Sequence, residues 1–280
     1  MCWSIIFVES LSPSLPWWLE IYLTTVITLS EAQLIEWISP VIWPFLRILA
    51  VFTAAPIFSS KSIPTRARIA LALFIAYAAQ PSLQGQQVIS IVGPDAFVAV
   101  MQQVGIGLAI GFSIRVVFAA VELAGEVVGA QMGLGFASFF NPALGSQANA
   151  VGGFFGHMAA FLFVVMNGHL IVLMSVVKSF EAFPVEQNFL QALGRMKLYK
   201  LGSDLFASGL WIALPMIGML MFVNLALGIV SRVAPQMNIY AIGFPITLTV
   251  GLIGIAATLP MLDQPFFSLM ERVIEIFQQP

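Results

Sequence analysis

Charge is scarce in this chain. Asp, Glu, Lys and Arg make up only 9% of its 280 residues, against about a quarter of an ordinary soluble domain. Hydrophobic residues account for 60%, and the mean hydropathy is +0.98. So few charges cannot cover a solvated globular surface, and the chain reads as an integral membrane protein. Its formal net charge of -2 offers no basic face to nucleic acid. Cysteine is nearly missing, because Cys2 stands alone, which excludes an internal disulfide and a multi-Cys metal site. The only histidines, His157 and His169, have no carboxylate at metal-ligand spacing, and neither HExxH nor GxSxG occurs. No nucleophile, base or metal cluster stands at workable spacing, which argues against an intramembrane enzyme. Lys and Arg are also absent from the opening thirty residues, which include Glu9 and Glu20, so no cleaved signal peptide is expected there.

What is present is a series of apolar blocks: Trp37 to Phe58, Ile69 to Ala79, Ala96 to Val121, Val151 to Val177, Leu205 to Val230, and Ile239 to Leu262. A span needs about twenty residues. The second block has only about eleven, roughly 16 Å of helix, so either Arg66 and Arg68 snorkel or protein surrounds it. Before the first block, Pro13, Pro16 and the Trp17-Trp18 pair suit an interfacial segment. Residues 1–29 look separate from the regular structure that follows. Ser30-Glu31-Ala32-Gln33 follows as a capping box that would open the first helix. From Pro265 the tail places Phe266, Met270, Val273 and Phe277 on one face, predicting an amphipathic terminal helix within residues 265–280. Such a helix would lie on a membrane, on a partner or on the chain itself.

The stretch from Gly133 to Phe155 is uncharged and rich in Gly and Phe, yet Asn141, Pro142, Ser146, Gln147 and Asn149 interrupt it. Irregular backbone at membrane depth survives only inside protein or along a water-filled path, since lipid cannot satisfy its N–H and C=O groups. A pore constriction is the reading that follows. The basic clusters Lys61, Arg66, Arg68 and Lys178, Arg195, Lys197, Lys200 would fall on opposite sides if six spans alternated. Positive loops favour the cytoplasm, so residues 122–150 are expected to carry the chain back across the membrane. That scheme places the C-terminus in the cytoplasm and predicts opposite sidedness for reporters after Gln84 and Lys200.

Several polar groups sit in or beside the apolar blocks: Arg47, Arg115, Glu122, Glu126 and Arg232. A charge at a span's centre costs about 2.5–3.5 kcal/mol, so each needs a partner or water. Arg115 and Glu122 share a face at a spacing of seven, whereas Glu122 and Glu126 repel at i,i+4. One carboxylate is left for a cation of another subunit, for an aqueous path, or for a solvated helix end. Asn167 and His169, in Asn167-Gly168-His169, are expected to make interhelical hydrogen bonds. Gly107 with Gly111, Gly125 with Gly129 and Gly133, and Gly152 with Gly156 form ridges that let helices approach closely. The thirteen methionines suit irregular packing. Arg232, Pro235, Gln236 and Asn238 between two apolar runs suggest a tight buried turn, and Gly243 before Phe244-Pro245 leaves room for close packing.

From Asn224 to Leu248 the chain reads NLALGIVSRVAPQMNIYAIGFPITL, which resembles the signature of the FliR family of flagellar export-gate proteins, whose virulence counterparts serve injectisomes. FLRILAVFTAAPIFSSKSIPTRARIALAL from Phe45, QMGLGFASFFNP from Gln131 and NGHL from Asn167 extend the likeness. It covers essentially Ser30 to Ile276, which implies that residues 1–29 are an extension or a start-site artefact, and RVAPQMNIYAIGFP favours the flagellar branch. The resemblance implies an all-α membrane protein of helical hairpins that mimic a joined FliP and FliQ, with an irregular re-entrant plug segment. It implies a non-enzymatic subunit of the flagellar type III export gate in the bacterial inner membrane, at the flagellar basal body. Its partners would be FliP and FliQ in one complex, with FlhB and FlhA nearby and unfolded export substrates passing through, and no cofactor. The family's plug loop maps onto Phe136, Phe139, Phe140, Asn141 and Pro142. Much of such a complex sits above the ordinary membrane plane, which would surround the short second block with protein. A small-molecule transporter is the alternative, but it should show inverted repeats and ionisable groups converging at the midplane; no convincing repeat is found.

Overall fold

Apolar runs without turn clusters become helices in the computed structural model, which describes residues 31–83, 94–134, 149–185, 194, 196, 198–236 and 238–278. The extension at 1–29, the cap residue Ser30, Gln84, Arg195 and Lys197 lie outside the described residues. The elements in order are α1 (Glu31–Ala54), α2 (Thr65–Ala79), a 3-10 turn (Gln80–Leu83), α3 (Pro94–Gln131), α4 (Ala150–Val165), α5 (Gly168–Ala182), α6 (Lys200–Val233), α7 (Ile239–Thr258), a second 3-10 turn (Leu259–Met261) and α8 (Asp263–Glu275). Among the described residues every regular element is helical. The chain divides into two units, Met1–Ile38 and Ser39–Pro280. The first contributes the opening of α1, and the core belongs to the second.

That core is built on α3. A helix apolar on most sides needs most of its circumference covered, and α3 packs against α1, α4, α6 and α8 while leaving one stripe, from Phe97 through Phe112 and Arg115 to Glu126, exposed. Its Val117, Ala120, Val121, Ala124 and Val128 are fully buried. Phe118 meets Phe163 of α4 at 5.6 Å between ring centroids and Phe266 of α8 edge-on at 5.9 Å. Close approach depends on glycine: a Cβ on Gly111 would lie 2.5 Å from Ala54 Cβ of α1, and one on Gly209 of α6 would lie 2.8 Å from the Ala120 carbonyl. The terminal helix α8 turns Phe266, Leu269, Met270, Val273 and Ile274 inward, so its apolar face is satisfied by the chain itself.

Trp37–Ala54, Ala96–Gln131, Lys200–Val233 and Ala241–Met261 are long and apolar enough to cross a membrane. Two of these run 36 and 34 residues, about 54 and 51 Å of helix, against about 30 Å of bilayer hydrocarbon. The second apolar block belongs to α2, a helix of 15 residues. Only Ala72, Ala76 and Ala79 of that helix are buried, while Leu73, Phe74 and Tyr77 point outward.

Three expectations change. The third block continues past Val121 to Gln131, because Glu122 and Glu126 face outward while the apolar face behind them stays buried. The fourth block is two helices, α4 and α5, bent by 70°. Asn167 takes the left-handed conformation there, at φ 55, and a Cβ on Gly168 would fall 2.6 Å from the Phe163 ring. The two described ends of residues 122–150 lie side by side, where a return crossing was expected to separate them. Gly125 lies against Val151 and Phe155, Gly129 against Asn149, and Gly152 against Glu126, so α4 runs antiparallel to α3 and starts where α3 ends.

Candidate functional site

The long helix α3 ends in a Schellman motif, in which the last free carbonyls are closed by a residue of positive φ. Gly133, at φ 85, donates its N–H to the Ala130 carbonyl at 3.0 Å, and Leu134 donates to Gly129 at 3.0 Å. A side chain in this conformation costs about 1–2 kcal/mol, which accounts for glycine. Residues 135–148 follow, so Phe136, Phe139, Phe140, Asn141 and Pro142 lie outside the described residues. The chain is described again at Asn149, which caps α4: its Oδ1 accepts from the Val151 N–H at 3.1 Å. Its Nδ2 donates to the Glu126 carbonyl of α3 at 2.9 Å. Asn149 thereby ties the start of one helix to the end of the other, directly over Gly129, where no larger residue fits.

A third element closes this junction. Thr247 of α7 has one hydroxyl proton and two carbonyls within reach of Oγ1, Met132 of α3 at 3.2 Å and Phe244 of its own helix at 3.1 Å; the first of these acceptors is one that the helix end leaves open. Met132 is fully buried and lies over Gly251, where a Cβ would meet its Cγ at 2.5 Å. Phe244 reaches Gly133, with its ring 3.4 Å from a Cβ placed there. The structure thus joins two features that are distant in sequence, the glycine series leading into the irregular segment and the Gly243-Phe244-Pro245 signature. Gly243 is buried, whereas Phe244 and Pro245 are exposed. The remaining signature residues, Arg232, Pro235, Gln236 and Asn238, stand exposed between α6 and α7 rather than in a buried turn. Asn238 caps α7 by accepting from the Ala241 N–H at 3.4 Å.

The other polar candidates separate into two groups. Arg47 is fully buried and held by neutral partners from three parts of the fold. Its Nε donates to Gln103 Oε1 of α3 at 2.8 Å, Nη1 to Ser179 Oγ of α5 at 2.9 Å, and Nη2 to the Phe183 carbonyl at 2.8 Å. The guanidinium also lies 3.6 Å from the Phe180 ring centroid, a favourable cation–π contact. Gln102 extends the cluster by donating to the Pro184 carbonyl at 3.2 Å. Arg115, Glu122 and Glu126 form an exposed stripe on α3, and among the described residues none of them is in an ion pair. Gly152 packs on the Glu126 stem with a Cβ distance of 2.7 Å, and Gly156 lies more loosely against Glu122 at 3.9 Å. Asn167 is exposed and His169 half-buried; among the described residues neither side chain bonds to another helix.

Sequence reasoning named Asn149 only as an interruption, and it passed over Met132, Thr247 and Gly251. Asn149 preceding an apolar run was a readable cap signal. The Thr247 contact spans 115 residues, and no local pattern announces it. Among the described residues no three His, Cys, Asp or Glu stand close enough to hold a metal ion.

Residues 38–273 match the family model described as bacterial export proteins, family 1. The chain is 40% identical over 233 residues to the flagellar biosynthetic protein FliR of Escherichia coli strain K12, covering 83% of this chain and 89% of that protein. It is 37% identical over 252 residues to the FliR of Pectobacterium carotovorum, covering 89% and 95%. The FliR of Bacillus subtilis is 29% identical over 212 residues, covering 75% and 82%. With apolar helices of membrane-crossing length surrounding a central helix, this chain belongs to the family 1 bacterial export proteins, as a FliR-type membrane component of the flagellar export apparatus.

Proposed function

We propose that this chain is the FliR-type subunit of the flagellar type III export gate, assembling with FliP and FliQ around the pore that passes unfolded flagellar substrates. FlhB and FlhA stand nearby in this reading, and no catalytic step is involved. The observation that carries it is the junction of Gly133, Asn149, Phe244 and Thr247. Both ends of the segment 135–148 are held on one packed point of three helices, which gives a pore plug a firm base. Phe136, Phe139 and Phe140 supply large rings to obstruct the pore, and Asn141-Pro142 interrupts regular structure. The bare apolar flanks of α6, where Phe222, Leu225 and Val233 are exposed, extend over more helix than a bilayer covers and favour cover by other chains.

The gate sits in the bacterial inner membrane at the flagellar basal body. Five crossings, with the bent α4–α5 pair taken as one, start outside and leave the C-terminus in the cytoplasm. This arrangement puts both basic clusters on the cytoplasmic side if the short α2 does not cross. Reporters after Gln84 and after Lys200 then give the same sidedness, because α3 and the α4–α5 pair both cross between them; opposite sidedness would mean that the α4–α5 pair does not cross as one span.

A transporter needs ionisable groups converging on a midplane site. Arg47 is instead enclosed by neutral groups, and the carboxylates of α3 face outward, which favours the gate. Gentle detergent extraction is expected to yield a complex much larger than 30.4 kDa containing two further small apolar proteins; a stable solute-binding monomer would overturn the assignment. Removing Phe139-Phe140 leaves assembly intact and makes the gate leak ions. Unchanged ion permeability in an assembled complex removes the plug role while leaving the gate assignment standing.

A further inference from the structure

Between α6 and α8, beside the bend that separates α4 from α5, lies an open cavity of about 830 Å³. Its walls include Ser208 and Trp211 of α6, Met166 at the bend, and Asp263, Gln264 and Arg272 of α8. This volume is within the range of small-molecule sites, about 300–1,000 Å³. A second cavity of about 130 Å³ shares Trp211, Ile212 and Pro265 with the first. It continues inward between Phe155, Met216, Leu259 and Leu262. The two together make a largely apolar chamber, with its charged side chains supplied by α8, beside an apolar throat.

We propose that this pair of cavities binds one membrane phospholipid with a zwitterionic, primary-amine headgroup of the phosphatidylethanolamine class. The chamber carries one positive and one negative side chain. Among the described residues Arg272 has no hydrogen-bond or ion-pair partner, and the Asp263 carboxylate accepts only the adjacent Gln264 N–H, at 2.7 Å. A phosphate meets the guanidinium in a charge-assisted pair, and the ammonium meets the carboxylate. A singly anionic amphiphile would satisfy Arg272 and be repelled by Asp263. The throat takes the beginning of one acyl chain. The chamber's outer wall also continues into the exposed apolar face of α6, at Phe206, Leu210, Trp211 and Leu214, along which the rest of the lipid lies. Trp211, three-quarters exposed, is the residue type that settles at the headgroup level.

The test uses the full chain in detergent, exchanged into lipid mixtures and analysed by native mass spectrometry. Dioleoyl phosphatidylethanolamine is expected to be retained at least fivefold over dioleoyl phosphatidylglycerol, with one molecule resisting delipidation. Arg272→Gln lowers retention of both lipids. Asp263→Asn lowers the ethanolamine lipid and raises the glycerol lipid, inverting the preference. Ser208→Trp, which narrows the chamber without altering charge, lowers retention of the lipid and keeps the helical circular dichroism of the parent chain. Equal retention of the two lipids by the parent chain overturns the proposal, as does a lipid that stays bound with unchanged preference in all three variants.

Discussion

Arg47 provides a test in which the sign of an energetic coupling decides the argument. Its guanidinium is buried with no carboxylate beside it among the described residues, and its described partners are three acceptors and the Phe180 ring. Gln103→Leu removes the acceptor at 2.8 Å and leaves the charge in place. A hydrogen bond to a charged group contributes about 1.5–3 kcal/mol, and the loss is expected in full because no water replaces Gln103 in a buried site. Arg47→Met removes the charge and its desolvation cost together. It leaves three orphaned acceptors, of which Ser179 Oγ keeps its own bond to the Val176 carbonyl at 2.7 Å. That change is expected to cost about 1–2 kcal/mol, since neutral groups are cheaper to bury unpaired than a charge. The double variant Arg47→Met, Gln103→Leu then has neither an unmet charge nor the Gln103 acceptor, and should be no less stable than Gln103→Leu alone. The measurement is the unfolding midpoint of the full chain in mixed micelles titrated with dodecyl sulfate, arranged as a double-mutant cycle. Additive losses, or a Gln103→Leu variant within about 0.5 kcal/mol of the parent, would refute the claim that neutral acceptors hold this cation.

Glycine substitutions should divide by position. Gly129→Ala places a methyl group on the Asn149 side chain and breaks the cap, whereas Gly153→Ala enters open space and gains about 0.5–1 kcal/mol of helix stability; unfolding midpoints moving in the same direction would contradict the packing. Gly133→Ala has room beside Phe244 but incurs the positive-φ cost of about 1–2 kcal/mol, so it should lower stability without changing the helical circular dichroism. Asn149→Ala removes both the cap and the tie to α3, a loss of about 1 kcal/mol for the cap alone. Asn149→Asp keeps the acceptor and loses the donor to the Glu126 carbonyl, and is expected to fall between the two.

Much of the fold is legible in the sequence because membrane helices announce themselves by apolar length. The errors arise where length is a poor guide. Val151 to Val177 reads as one span since nothing polar enough to end a helix appears before Asn167. The break comes from an Asn-Gly pair, an ordinary turn signal, which in so apolar a context reads equally as a source of interhelical hydrogen bonds. Glu122 and Glu126 read as a helix end because charge is costly in lipid. Yet a helix ends for backbone reasons, and those first appear at Met132 and Gly133, where Thr247 and a positive φ close the last turn.

The polar candidates show a different boundary. That Arg47 required partners was readable from its place in an apolar run; which partners was not, since Ser179 and the Phe183 carbonyl lie 132 and 136 residues away. Neither a serine nor a backbone carbonyl leaves a compositional trace, so a search for a compensating carboxylate looks in the wrong place. The exposed carboxylates of α3 invert the case, for Glu122 and Glu126 lie on one face with Arg115 and still form no ion pair among the described residues. A buried cation served by neutral groups and a pair of exposed anions left unserved are consistent only with different surroundings. Arg47 belongs to the interior that this chain completes alone, and the α3 stripe belongs to a boundary completed by water or by another chain. Charge in this protein therefore marks the line between its own core and its outer boundary, and the Arg47 and Glu122 environments lie on opposite sides of that line.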